Sequence, residues 1–131
     1  MMTDPIGDML TRIRNAGSAR HANTSCPSSR QKLAVAKVLS QAGFVGEVKV
    51  EARDGFATLV IEIRYDEEGQ TLIDGIRRVS KPGRRVYTSR NEVPEVRRGL
   101  GVAVMSTSRG ILSDKDAREQ KVGGEVVCEV W

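Results

Sequence analysis

The spacing of apolar residues changes period part-way along this chain, and the change divides what its two parts can become. Near the start, Ile6, Met9, Leu10 and Ile13 recur at i, i+3, i+4 and i+7, one stripe along a helix. Asp4-Pro5 precedes it, an N-cap type followed by the residue best suited to a first helical position. Val35, Val38, Leu39 and Ala42 form a second stripe, with Ser28 and Gln31 at capping-box spacing before it and Gly43 placed to end it. Then Val48–Glu51 and Phe56–Tyr65, rich in β-formers, flank Asp54-Gly55, which reads as a tight hairpin.

Beyond the polar, turn-like Glu67-Glu68-Gly69, strand signals dominate. Leu72–Val79 reads as a strand, Lys81-Pro82-Gly83 as a turn and Arg84–Thr88 as the returning strand. Val93–Arg98 reads as a short helical turn closed by Gly99, and Val102–Met105 as a strand. Ser113 with Asp116 signals the start of a short helix running to about Gln120, Gly123-Gly124 breaks it, and Glu125–Trp131 alternates as a closing strand. A helix-led part, residues 1–66, and a strand-led part, residues 67–131, point to the α+β class.

Charge follows its own division. Residues 9–46 carry Arg12, Arg14, Arg20, Arg30, Lys32 and Lys37 and no acid, whereas residues 47–74 are strongly acidic. Residues 75–98 turn basic again with Arg77, Arg78, Lys81, Arg84, Arg85, Arg90, Arg97 and Arg98 against Glu92 and Glu95. Arginine forks pair bidentately with phosphate, so this dense segment suits a nucleic-acid footprint. A solvated charged face with no partner fits the charges equally. Aromatic residues make up only 4% of the chain, which argues against a broad stacking platform for single strands.

Catalytic and metal chemistry find little to work with. His21 is the single histidine and lies in a polar connection, where a surface role is the ordinary one. Ser106 and Ser108 stand in no G-x-S-x-G elbow, and neither a P-loop nor a dinucleotide fingerprint occurs. Cys26 and Cys128 are far apart and lack metal or disulfide spacing, so both read as small apolar residues. No apolar run approaches the ~18 residues of a membrane span, and no leader pattern opens the chain. The expectation is a cytoplasmic binding protein with no catalytic residue, metal or cofactor.

Residues 104–111, Val-Met-Ser-Thr-Ser-Arg-Gly-Ile, run an apolar strand into three hydroxyls, a cation and a glycine. Hydroxyls can bond phosphate oxygens, ribose hydroxyls and base edges without adding charge. An ordinary strand-end turn with local Ser/Thr bonding to its own backbone uses the same residues.

Here the chain resembles a known family. Ser106-Thr107-Ser108-Arg109-Gly110, Asp114, Ala117-Arg118, Gly123-Gly124-Glu125 and Val130-Trp131 are similar to the signature of the bacterial-type small-ribosomal-subunit protein eight family. The likeness extends through Asp4–Asn15, Arg78–Tyr87, Pro94-Glu95-Val96 and Gly99-Leu100-Gly101, in order and over nearly the whole chain. It departs at Thr24–Ser29, where β-branched apolar residues are usual in the family and the first short strand is therefore weakened. Position 109 is Arg where Lys also occurs, which keeps the cation but changes its donor geometry.

The resemblance implies an α+β fold of two small modules. The N-terminal one is helix-strand-helix-hairpin, and the C-terminal one is mainly antiparallel β with a short helix. It implies a structural constituent of the small ribosomal subunit that binds the central domain of 16S ribosomal RNA and supports assembly beside neighbouring small-subunit proteins. In some members the protein also represses translation of its own operon messenger RNA. Carried over, Ser106, Thr107, Ser108, Arg109 and Gly110 would contact RNA backbone and splayed bases. Tyr87 would stack or hydrogen-bond, and Arg84 and Arg85 would pair with phosphates. Glu125 would accept from a base or ribose donor, its alternative being a structural role near the Gly-Gly turn. Arg12, Arg14 and Asn15, with Lys32, would hold a second RNA stretch.

Overall fold

Apolar residues at helical spacing become one buried face: Pro5–Ser18 is helix α1, and Ile6, Met9, Leu10 and Ile13 on it are buried. This is seen in a computed structural model that describes residues 3–131. The chain divides into two compact units, Pro5–Asp74 and Gly75–Trp131, the latter joined by the stretch ending at Asp4.

In the first unit, α1 ends through His21 N–H to the Ala16 carbonyl and Arg20 N–H to that of Gly17, with Arg20 at φ 57°. This is the paired-bond helix stop normally built on glycine. Strand β1, Asn23–Pro27, leads to helix α2, Arg30–Gln41. The cap of α2 is Ser29, whose hydroxyl accepts from Lys32 N–H, one residue later than the Ser28–Gln31 spacing suggests. The reason lies in the sheet: Ser28 N–H donates to the Ala57 carbonyl and prolongs the ladder of β1, so the next serine takes the cap. Gly43, at φ 88°, ends α2 with the same bond pair as α1.

Strands β2, Val45–Arg53, and β3, Phe56–Ile63, form the expected hairpin, with Asp54 at φ 52° and Gly55 at φ 80° supplying the primed turn that suits strand twist. The sheet order is β1-β3-β2, all antiparallel. Leu59, Ile61 and Ile63 alternate inward from β3, and with Met9, Leu10, Ile13, Val35, Leu39 and Val45 they make the core of this unit.

The second unit holds β4 (Ile76–Arg78), β5 (Tyr87–Thr88), β6 (Val102–Thr107), β7 (Gly110–Ser113), helix α3 (Asp114–Gln120) and β8 (Gly124–Val130). Its strand order is β4-β8-β6-β7, and β5 also pairs with β8. Met105, Val126 and Ala117 pack together with Val79, Val93, Leu112 and Val122 around them. The hydroxyl of Ser113 caps α3 by accepting from Asp116 N–H, as its spacing implied. Asp114 is buried because both its oxygens are used, one by Ala103 N–H at 2.9 Å and one by Arg118 at 2.6 Å.

The two units together confirm α+β architecture, but several elements differ in extent from their expected form. The strands expected at 72–79 and 84–88 shrink to three and two residues and do not pair with each other. Each instead takes one end of β8, Ile76 opposite Val130 and Tyr87 opposite Glu125. The turn between them closes on itself, Lys81 and Arg84 exchanging both backbone bonds. Residues 93–98 are not helical, since a residue before proline avoids the α region and Val93 precedes Pro94. Only Arg97–Gly99 forms a short turn, and it is left-handed, with Arg98 at φ 56°, ψ 38°. Strand β7 was not read from the sequence, being four residues long and opening on a glycine.

Candidate functional site

Strand register in the second unit lines up residues from remote segments. Tyr87 on β5 is opposite Glu125 on β8, Glu125 is opposite Ser106 on β6, and Ser106 is opposite Ile111 on β7. Directly paired residues share a sheet face. The next row, Val126, Met105 and Leu112, points the other way into the core. Tyr87, Glu125, Ser106 and Ile111 therefore form one row on the face turned away from that core, with Tyr87 70% exposed.

Glu125 is fixed in place. The hydroxyl of Ser80, a fully buried residue, donates to Glu125 Oε2 and accepts from Val86 N–H at 3.2 Å. A guanidinium N–H of Arg85 donates to the same Oε2 at 3.0 Å. Both bonds fall on one oxygen, so Oε1 has no partner among the described residues. One oxygen of Glu125 thus anchors the 80–86 segment, the structural alternative raised for it.

The row ends at the β6–β7 turn. Thr107 Oγ1 donates to the Gly110 carbonyl at 2.8 Å and accepts from Arg109 N–H at 3.0 Å, so this hydroxyl closes the turn. Ser108 and Arg109 form the exposed tip, and Gly110 turns the chain at φ 99°. A Cβ on Gly124 would stand 2.2 Å from the Ser106 carbonyl oxygen, so glycine is what lets β8 run this close to β6 at the turn. Arg84 and Arg85 are both exposed, Arg84 in the self-closed turn that precedes Tyr87.

Four of the expected residues lie in the other unit. Arg12, Arg14 and Asn15 are exposed on α1. Arg12 is engaged by Asp8 at 2.9 Å and by the Ser25 carbonyl at 2.8 Å. Lys32 differs from the other three: it is buried, and its ammonium donates to the Pro27 carbonyl at 2.7 Å. Those two carbonyls lie on the side of β1 that faces away from β3, because the neighbouring Ala22 carbonyl and Ser28 N–H are the ones bonded to the β3 strand.

Two contributors escaped sequence reasoning. Ser80 stands inside a motif already singled out, but nothing in that motif reveals that its hydroxyl reaches Glu125, which lies 45 residues away. Gly124 reads as a helix breaker, while its close approach to Ser106 depends on the pairing of β6 with β8. The cysteines take no part in the row. Burial pushes the Cys128 thiol up to about 12. Burial also raises Cys26, against the opposing pull of Lys32 and Arg12. Among the described residues no group of three His, Cys, Asp or Glu is arranged to hold a metal ion, and no helix is long and apolar enough to cross a membrane.

Comparison with known proteins accounts for the whole chain. Residues 4–131 match the family model of ribosomal protein S8. The small ribosomal subunit protein uS8 of Sorangium cellulosum is 54% identical over 131 residues, all of both chains. That of Roseiflexus castenholzii is 49% identical over 130 residues, 99% of this chain and 98% of its own. That of Acholeplasma laidlawii is 49% identical over 131 residues, 100% of this chain and 99% of its own. With a full-length family match and relatives near half identity, the chain belongs to the ribosomal protein S8 family, whose members are non-catalytic structural constituents of the small ribosomal subunit.

Proposed function

We propose that this chain is a primary binder of 16S ribosomal RNA in the central domain, that it holds a folded, bulged RNA helix with residues 67–131, and that it supports subunit assembly by doing so. The observation carrying this reading is the row Tyr87–Glu125–Ser106 ending in the Ser108–Arg109 tip. A row of ring, fixed carboxylate and hydroxyls suits splayed bases and ribose edges, and Arg84 and Arg109 beside it suit phosphates. Thr107 and Gly110 act by shaping the tip, and Arg85 by orienting Glu125 as well as by charge.

Arg12, Arg14 and Asn15 hold a second RNA stretch in this reading. Lys32 enters as a positioning residue, since its ammonium holds Pro27 rather than facing solvent. A messenger-RNA helix presenting the same bulge would occupy the same row, which is the basis for proposing operon repression as well.

The test is a filter-binding titration at two salt concentrations, with a central-domain 16S fragment against a length-matched scrambled RNA. A preference of ~10³-fold or more that persists at higher salt is the expected result. Equal binding to both RNAs, collapsing with salt, overturns the reading.

A further inference from the structure

Ser80 and Val86 lie outside the named strands, yet both are tied to one residue of β8. Ser80 N–H donates to the Val126 carbonyl at 3.1 Å, and Val126 N–H donates to the Val86 carbonyl at 2.9 Å. Val86 N–H completes the circuit by donating to the Ser80 hydroxyl at 3.2 Å. Residues 80, 86 and 126 thus make a ring of bonds, and residues 81–85 stand out from it as a loop. Two backbone bonds between Lys81 and Arg84 pinch that loop shut, and Lys81, Arg84 and Arg85 on it are exposed.

The side chain that closes the ring belongs to Ser80, a fully buried residue. Buried polar groups need partners, and a serine hydroxyl has one proton to give and lone pairs with which to receive. Here both capacities are used: the oxygen accepts from Val86 N–H, and the proton goes to Glu125 Oε2. The same carboxylate oxygen takes the Arg85 guanidinium at 3.0 Å. A residue without a hydroxyl at position 80 would leave Val86 N–H unmatched and the carboxylate held only by Arg85, an exposed side chain. Glu125 has Tyr87 and Ser106 as its cross-strand neighbours, so a change in its orientation is felt across the row.

We infer that Ser80 is a positioning residue for RNA recognition: without touching RNA, it fixes the Glu125 carboxylate, and through it Arg85, in the row before RNA arrives. The inference rests on the RNA reading given above. Groups held in advance lose less side-chain freedom on binding. A preset carboxylate also acts as a filter for RNA shape. It repels a phosphate that arrives where a base or ribose donor should lie, so a misplaced RNA meets a penalty that the matching one escapes. Ser80 therefore acts on the choice between RNAs, while the number of phosphate contacts, set by the cations, stays the same.

The test is filter binding of the central-domain 16S fragment and of the length-matched scrambled RNA by the unaltered chain, Ser80→Ala, Glu125→Ala and the double variant. Ser80→Ala is expected to lose about tenfold in affinity for the fragment, with affinity for scrambled RNA and both salt slopes unchanged. The double variant should bind the fragment within about threefold of Glu125→Ala alone, since Ser80 acts through Glu125. Losses that multiply in the double variant overturn the inference. So does a fall shared by both RNAs, which reports only a loosened chain. Should Ser80→Ala melt below the assay temperature, Ser80→Cys replaces it, because its thiol fills the site but donates weakly, and the same selective loss is expected. If the unaltered chain prefers the fragment and the variant at position 80 keeps that preference, the inference falls and the RNA reading stands. No preference in the unaltered chain overturns the RNA reading and the inference with it.

Discussion

Arg12 and Lys32 in the first unit and Arg84 and Arg109 in the second are put to different ends. In the first, Arg12 and Lys32 turn toward the chain's own carbonyls on β1. In the second, Arg84 and Arg109 stand exposed on turns that close without their side chains. The hairpins differ in the same sense. The β2–β3 turn is shaped by backbone alone, through two residues at positive φ, whereas the β6–β7 turn is tied by the Thr107 hydroxyl. Residue type does not decide whether a cation or a hydroxyl serves the fold or a partner. What decides is whether an unsatisfied group of the chain itself lies within reach.

The largest expected contrast is between two glycines. Gly124→Ala drives a methyl into the Ser106 carbonyl, a backbone atom that cannot step aside. It should cost about 2–3 kcal/mol in urea unfolding and lose most RNA affinity. Gly46→Ala meets only the end of the Glu62 side chain, which can swing away, and should cost less than about 1 kcal/mol. Equal costs would mean that the β8–β6 approach is not the tight point of the second unit.

Lys32→Met keeps the buried stem and removes the donor to Pro27. It should cost about 1–3 kcal/mol of stability through an unsatisfied carbonyl, with the salt dependence of RNA binding unchanged. A shallower salt slope would move Lys32 from the fold to the RNA surface and erase the contrast between units.

Thr107 and Ser108 separate shaping from contact. Thr107→Val should cost about 1 kcal/mol by untying the turn and weaken RNA binding as a consequence. Ser108→Ala should leave stability alone and weaken binding about tenfold, with no change in salt slope. By comparison, Arg84→Gln should shallow that slope by ~0.7–0.9.

The smallest effect is absent near neutral pH. Both thiols are raised by burial above the ordinary value of 9.0, so the folded chain keeps protons that the unfolded chain releases. Their contribution to stability is complete below about pH 9 and is lost as pH rises, for Cys128 toward its folded value of about 12. Melting temperature should therefore fall more steeply above pH 9 in the parent chain than in Cys128→Ala. Parallel curves would show that burial at Cys128 does not control its ionisation.

Local signals carried much of this fold. The stripes on α1 and α2, the Asp54-Gly55 hairpin, the Ser113 cap and the β8 alternation depend on near neighbours and could be read in order. The features that could not be read depend on a distant partner. Ser29 replaces Ser28 as cap because Ala57 claims the N–H of Ser28. The strands around Lys81 shorten because β8 takes both of them as separate partners. The same holds for the site: its residues were visible as a motif, but the row Tyr87–Glu125–Ser106 and the hold of Ser80 on Glu125 exist only once β5, β8 and β6 are paired.

The contacts made by Arg12 and Lys32 matter before any subunit exists. A sheet whose outer strand shows free carbonyls and N–H groups invites a foreign strand to add to it, and so to aggregate. On β1 the Ser25 and Pro27 carbonyls are already bonded to cations, and Pro27 has no N–H to offer. The outer side of that strand therefore offers a foreign strand two acceptors and one donor fewer, through contacts made by the same kind of residue that elsewhere in the molecule stands exposed.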